Sequence, residues 1–204
     1  MEIKLANPQG KGRERISDAL QILQELQIEH KTPIQILRDY CCSLLVLASD
    51  FSFLPVPNRN YFLFLSGEKF KLSPISPKEW GDSRFGEYIA KCRLETDMTW
   101  SGTWRHDLED FPALNEKIRD HIKNFSEMIF ESESMTDNLP FCDRHLPYYR
   151  RALALGLASS IEFSFKQVSF DRMSGREVLE SFGGESKSLN KSLLSHNGGL
   201  SDLT

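Results

Sequence analysis

Residues 61–73 read Tyr61-Phe-Leu-Phe-Leu65, Ser66-Gly67-Glu68, Lys69-Phe-Lys-Leu-Ser73. Aromatic and branched side chains on both sides of a Gly-containing turn predict a β-hairpin, because such side chains fill a pleated, half-buried surface. In the second arm Phe70 and Leu72 alternate with Lys69, Lys71 and Ser73, so one face is expected to be wet. Farther along, Tyr88, Ala90, Cys92 and Leu94 share one parity, and Lys91, Arg93 and Glu95 share the other. That alternation favours a third strand over about residues 88–96, although Phe85, Tyr88, Ile89 and Cys92 also fit a helical stripe.

Helices are expected on either side of these strands. Ile16, Ala19, Leu20, Leu23 and Leu26 follow helical spacing up to about His30. Thr32-Pro33, an N-cap followed by the residue favoured at the first helical position, then starts a more apolar helix over 33–48. Downstream, Leu114, Ile118, Ile122, Phe125 and Ile129 mark a helix over about 111–131, and an Ala- and Leu-rich stretch marks another near 145–160. Residues 162–170 alternate imperfectly and read as a strand. Ser174-Gly-Arg-Glu177 is a capping box that opens a short last helix. The expected fold is therefore α+β: an N-terminal helical pair on a small antiparallel aromatic-rich sheet, then a mainly helical extension and a disordered tail. The expected divisions are a flexible 1–12, a core over 13–124, an extension over 125–182, and a Ser/Gly-rich tail over 183–204.

Composition narrows the class of protein. The 204 residues are 40% apolar and 26% charged with a net charge of -4, which describes a globular chain rather than a collagen-like or fully disordered one. The acidity is local: residues 105–142 carry nine acidic and four basic groups, whereas residues 1–104 balance thirteen against thirteen. The longest apolar runs reach about half the ~20 residues that a bilayer requires, so no membrane association is expected. Four cysteines at 41, 42, 92 and 142 show no disulfide spacing, and no apolar leader opens the chain. Reduced thiols in the cytoplasm or nucleus are the expectation.

The densest motif is Ser73-Pro-Ile-Ser-Pro-Lys-Glu-Trp-Gly81, followed by Leu94-Glu-Thr-Asp-Met-Thr-Trp100. With the aromatic hairpin before it, this pattern resembles the domain of unknown function family 2452, found in bacteria and eukaryotes, over roughly residues 13–104. Three features depart from the pattern: a tighter hairpin turn, Thr96 where relatives can carry His, and Ala90-Lys91-Cys92 in place of a Gly-x-aromatic. The resemblance implies a shared fold and no particular chemistry. The residues themselves speak for a structural motif: Ser76 and Glu79 form a capping box with Pro77 at the first position, and Gly81 can end the turn. Trp80 would then point inward, and Trp80 and Trp100 would bracket the sheet. The functional alternative has Lys78, Glu79 and Asp97 converging on a ligand, while Asp97 can equally cap a backbone turn.

No P-loop, G-x-G-x-x-G, G-x-S-x-G or H-E-x-x-H pattern is present, so neither a catalytic set nor a cofactor is assigned. Cys142-x-x-His145 is half a zinc site, and no metal is assigned. His121 reads as a boundary histidine, and His106 to Asp110 as a solvated helix start. The leading expectation is a non-catalytic protein-interaction or scaffold domain with a protein partner, and self-association through the N-terminal helix is an option. Tyr148-Tyr149-Arg150-Arg151 could be an exposed contact patch. The second reading is single-stranded nucleic-acid or small-ligand binding by the basic hairpin, with Phe64 and Phe70 stacking bases. An enzyme of unrecognised class is the third.

Overall fold

A computed structural model describes residues 31–80, 85–140, 148–182 and Leu193. The expected first helix, the N-terminal segment, Gly81, Cys142, His145 and the tail apart from Leu193 lie outside these residues. The architecture is α+β, with a four-stranded antiparallel sheet and helices. Helix α1 spans Pro33–Ala48 and starts as its sequence dictates. The Thr32 side chain accepts from the Gln35 N–H, the Gln35 side chain accepts from the Thr32 N–H, and Pro33 occupies the first turn. Its buried face carries Ile36, Leu37, Tyr40, Cys41, Leu45 and Val46.

Strands β1 (Asn60–Ser66) and β2 (Lys69–Ser73) form the expected hairpin, with Gly67 at φ 61° in the turn. Strand β3 (Glu87–Leu94) takes the other side of β1, which resolves the 88–96 stretch in favour of a strand that ends two residues early, before the turn at Thr96. Strand β4 (Trp100–Trp104) completes the order β2-β1-β3-β4. The register of β1 on β3 shifts between Leu63 and Phe64. This bulge inserts Ile89 opposite the shift, so Ile89 and Ala90 are buried in succession. Tyr61, Leu63, Leu72, Ala90, Cys92 and Trp100 belong to the main core. Phe62, Phe64, Tyr88, Lys91 and Arg93 occupy the opposite parity, on the other face of the sheet.

The one-turn helix α2 (Pro77–Trp80) follows β2, and α3 (Pro112–Glu131) follows a 3-10 turn at Leu108–Asp110. Helix α4 runs over Tyr148–Gln167, which corrects the strand expected at 162–170. Leu153, Leu157, Ile161 and Phe165 are all buried at four-residue spacing, so the helical stripe outweighs the local alternation. Helix α5 (Gly175–Ser181) opens on the expected Ser174–Glu177 capping box.

Helices α1, α3 and α4 share one apolar cluster with the sheet. Tyr40 of α1 meets Phe125 of α3 and Phe165 of α4 edge-on, at 5.5 and 6.1 Å between ring centres. Its hydroxyl donates to the Asn138 carbonyl. Gly156 of α4 lies against Met98: a Cβ there would sit 3.1 Å from the methionine side chain, so the missing side chain sets how closely α4 approaches the β3–β4 turn. Leu193 is also buried, and its carbonyl accepts from Trp104 Nε1 at 3.3 Å.

Candidate interaction groove

Strand β2 lies at the edge of the sheet, where unpaired backbone groups invite contact. Residue Asp50 covers part of that edge: its N–H donates to the Phe70 carbonyl at 2.8 Å and its carbonyl accepts from the Leu72 N–H at 3.0 Å. The loop continuing from Asp50 through Phe51 and Phe53 therefore runs beside β2. The chain leaving β2 turns sharply, with the Ser73 hydroxyl accepting from the Ile75 N–H at 3.0 Å and from Trp80 Nε1 at 2.9 Å. Trp80 stacks on Phe85, 4.7 Å apart and nearly parallel, and Phe85 meets Phe64 edge-on at 5.1 Å.

Between these walls is a groove of about 470 Å³, lined by Phe51, Phe53, Lys71, Ile75, Trp80 and Phe85 among others. That volume is within the ~300–1,000 Å³ of ordinary ligand clefts. Three of the five exposed large apolar side chains among the described residues, Leu54, Val56 and Ile75, belong to the two loops that wall it. Arg150 of α4 also lines the groove. Its guanidinium lies 4.5 Å over the Phe51 ring and donates to the Ser49 and Phe51 carbonyls at 2.8 and 3.2 Å. Lys71 stands 5.6 Å over the Phe85 ring and donates to the Ser66 hydroxyl. Neither cation has a carboxylate partner among the described residues.

A second cluster is polar and enclosed. Lys31 Nζ donates to Asp97 Oδ2 at 2.7 Å and to the Thr99 hydroxyl at 2.8 Å, and pairs with Asp39 Oδ2 at 2.8 Å. Its three donors are thus all used. Asp97 Oδ1 accepts from the Thr99 N–H at 3.0 Å and from its hydroxyl at 2.6 Å, closing the backbone turn. The Asp97 carbonyl accepts from Ser160 of α4. Burial raises the Asp39 carboxyl to about 6 against the opposing pull of Lys31. For Asp97 burial is again the largest single influence, but Lys31 and the Thr99 hydrogen bonds together outweigh it, and the result lies below the ordinary carboxylate range. The cluster ties α1, the β3–β4 turn and α4 together.

The residues singled out from sequence fall into separate places. Ser76, Pro77 and Glu79 form the expected capping box of α2, and its hydrogen bonds lower the Glu79 carboxyl. Lys78 and Glu79 are exposed on that turn, whereas Asp97 and Trp100 are buried around the β3–β4 turn, so the four do not form one pocket. Trp80 is half-buried at the groove rather than wholly inward. Phe64 is buried behind Phe85 and Tyr88, while Phe70 packs toward the main core on the other face. The 148–151 patch divides: Tyr148 is exposed, but Tyr149 and Arg150 are half-buried and hold the Phe51 carbonyl. His121 is a boundary residue whose Nε2 meets the Cys41 carbonyl at 3.0 Å, and burial lowers its basicity.

Sequence reading missed Lys31 and Asp39 as partners of Asp97, and Phe51, Phe53 and Arg150 as groove walls. The available signal was Phe51-Ser-Phe53, an aromatic alternation inside an otherwise loop-like segment.

Among the described residues no helix is long and apolar enough to cross a membrane, and no group of three or more His, Cys, Asp or Glu is placed to hold a metal ion. Sheet, helices and groove define an α+β domain with an aromatic cleft along its hairpin edge. Residues 6–118 match the model of the family described as Protein of unknown function (DUF2452), and the chain belongs to that family. The match contains both tryptophan motifs and extends beyond residues 13–104, where the resemblance was legible. No curated protein and no solved structure matches the chain.

Proposed function

We propose that this chain is a non-catalytic protein-interaction domain whose hairpin-edge groove receives a segment of a partner protein. The observation that carries this reading is the aromatic-lined groove with exposed Ile75 in its wall, next to a loop that carries exposed Leu54 and Val56 just beyond Phe53. Apolar side chains left in water at a concave site gain free energy when a partner covers them. The nucleic-acid alternative requires rings open to bases. Phe64 is only 2% exposed and Phe70 turns to the core, so the two rings do not form a common platform.

The test is photo-cross-linking in cells from a benzoylphenylalanine placed at position 75, where Ile75 is 40% exposed and its replacement leaves the core intact. A discrete protein adduct that disappears with Trp80→Ala is the expected result. Adducts only to nucleic acid, or no adduct that depends on Trp80, would sink the proposal.

A further inference from the structure

We infer that the partner segment is an acidic linear peptide carrying one bulky aromatic or aliphatic side chain flanked by Asp or Glu. The inference rests on the interaction reading of the groove and adds the chemistry of its occupant. Two cations line the groove, each above an aromatic ring: Arg150 over Phe51 and Lys71 over Phe85. The contacts that hold them are to neutral carbonyls, a hydroxyl and ring faces, so their charge remains uncompensated among the described residues. Among the described residues Asp50 is the one carboxylate that lines the same groove. Lys69 and Lys78 add exposed positive charge on β2 and α2, while the Glu79 carboxylate is turned back onto Ser76.

An apolar anchor alone would cover Phe51, Trp80 and Ile75 while leaving both cations less hydrated and unpaired, which costs free energy. A carboxylate beside the anchor forms charge-assisted hydrogen bonds to Lys71 or Arg150 and removes that penalty. The rings beneath the cations strengthen the same geometry, because they hold the charged groups in place before the peptide arrives. A basic segment would meet like charge on both sides of its anchor, which is how the groove would discriminate.

The experiment selects peptides from a random twelve-residue display library on the full-length chain, then measures the best binders by fluorescence polarisation and by the emission of Trp80. That emission reports the groove because Trp100 and Trp104 are 1% and 8% exposed. Selected peptides are expected to carry Asp or Glu within three positions of Phe, Trp or Leu. Their affinity should fall about tenfold in Lys71→Glu and severalfold between 50 and 300 mM salt. Exchanging the peptide's carboxylates for lysines should restore binding to Lys71→Glu, a rescue that an unfolded variant cannot give. Groove-dependent binders that are neutral or basic would overturn the acidic assignment and leave the interaction reading standing. A selection with no binder that depends on Trp80 would overturn both.

Discussion

Two short turns end in tryptophan, and the molecule uses them in opposite ways. At Ser76–Trp80 the Glu79 carboxylate accepts from the Ser76 N–H, and at Asp97–Trp100 the Asp97 carboxylate accepts from the Thr99 N–H. Each carboxylate thus closes its own backbone. Glu79 remains in water, and Trp80 stands half-open at the groove. Asp97 is 7% exposed and Trp100 is 1% exposed, the latter opening β4 with its ring against Tyr61 of β1 and its N–H donating to the Ser43 hydroxyl of α1. Local hydrogen bonding shapes both turns, and burial decides what else each turn needs. A carboxylate in water needs no counterion, whereas a buried one stays ionised only with a cation and hydrogen-bond donors around it. Lys31 supplies the cation to Asp97.

The sharpest way to break this contrast is to remove each ring. Trp100→Ala empties a fully enclosed site beside Tyr61 and should cost ~3–5 kcal/mol of stability, as large-to-small changes in a core do. Trp80→Ala removes a half-exposed stack and one hydrogen bond to Ser73, and should cost no more than ~1–2 kcal/mol. Urea denaturation of both variants checks the pair. Equal losses would mean that the Ser76–Trp80 turn is as much a part of the core as its counterpart.

Removing each carboxylate is the next test. Asp97→Ala strands Lys31 with a single carboxylate and opens the Thr99 turn, and breaking a buried pair in this way costs ~3 kcal/mol. Lys31→Met and Asp39→Asn made together with Asp97→Ala should recover part of that loss, because the cluster then holds no buried charge. Glu79→Gln should leave the melting temperature unchanged within error. A triple variant no more stable than Asp97→Ala alone would show that the loss does not come from the broken ion pairs.

The same contrast explains what could be read in the sequence. The hairpin, the third strand, α1 and both capping boxes were legible because their signals are local: alternation, a glycine turn, Thr32-Pro33, and Ser-x-x-Glu spacing. Strand β4 was not, since Trp100-Ser-Gly-Thr-Trp104 is short and holds a glycine, and only its pairing with β3 makes it a strand. The Phe163-Ser-Phe165 alternation misled for the converse reason: the buried stripe from Leu153 to Phe165 is longer than the local pattern. The sequence left Asp97 open between a ligand contact and a turn cap, and its partner Lys31 lies 66 residues away, where no spacing rule connects them. The groove combines a loop, a sheet edge and Arg150 from α4, so it exists only after folding. Arg150 and Tyr149 look like surface residues in sequence and serve to hold Phe51.

Acidity separates the two carboxylates within the buried cluster itself. Asp39 titrates near 6 in the folded protein against an ordinary 3.8, so the folded state binds its proton more tightly than the unfolded state does. Its contribution is therefore fully present below about pH 3.8 and is lost as pH rises through about 6, above which it is constant. Asp97 is lowered and works in the opposite sense: its contribution is present above the ordinary carboxylate range and is lost only as pH falls through its depressed value. Asp39→Asn removes the first effect and leaves Lys31 paired with Asp97. The wild type should lose about 2 kcal/mol relative to Asp39→Asn between pH 4 and 6.5, measured by urea unfolding at half-unit steps. A difference independent of pH would show that Asp39 is not held above its ordinary value.

The smallest expected effect is at the exposed turn, where Ser76→Ala removes one side of a capping box and should cost ~0.5–1 kcal/mol. Because α2 has a single turn, that loss should remain local. The Ser76 hydroxyl accepts from the Glu79 N–H, the residue before Trp80, and the turn sets the angle at which Trp80 meets Phe85. Loosening it should shift Trp80 emission toward the red and speed amide exchange over residues 76–80, with little change in the urea midpoint. Thr99→Ala is the corresponding change at the buried turn: it deletes the hydroxyl that bonds both Lys31 and Asp97, so it should lower the midpoint and quicken exchange across α1 and β4 together. If Ser76→Ala also quickened exchange in α1 or β4, the groove turn would be coupled to the core, and burial would not be what divides the two tryptophans.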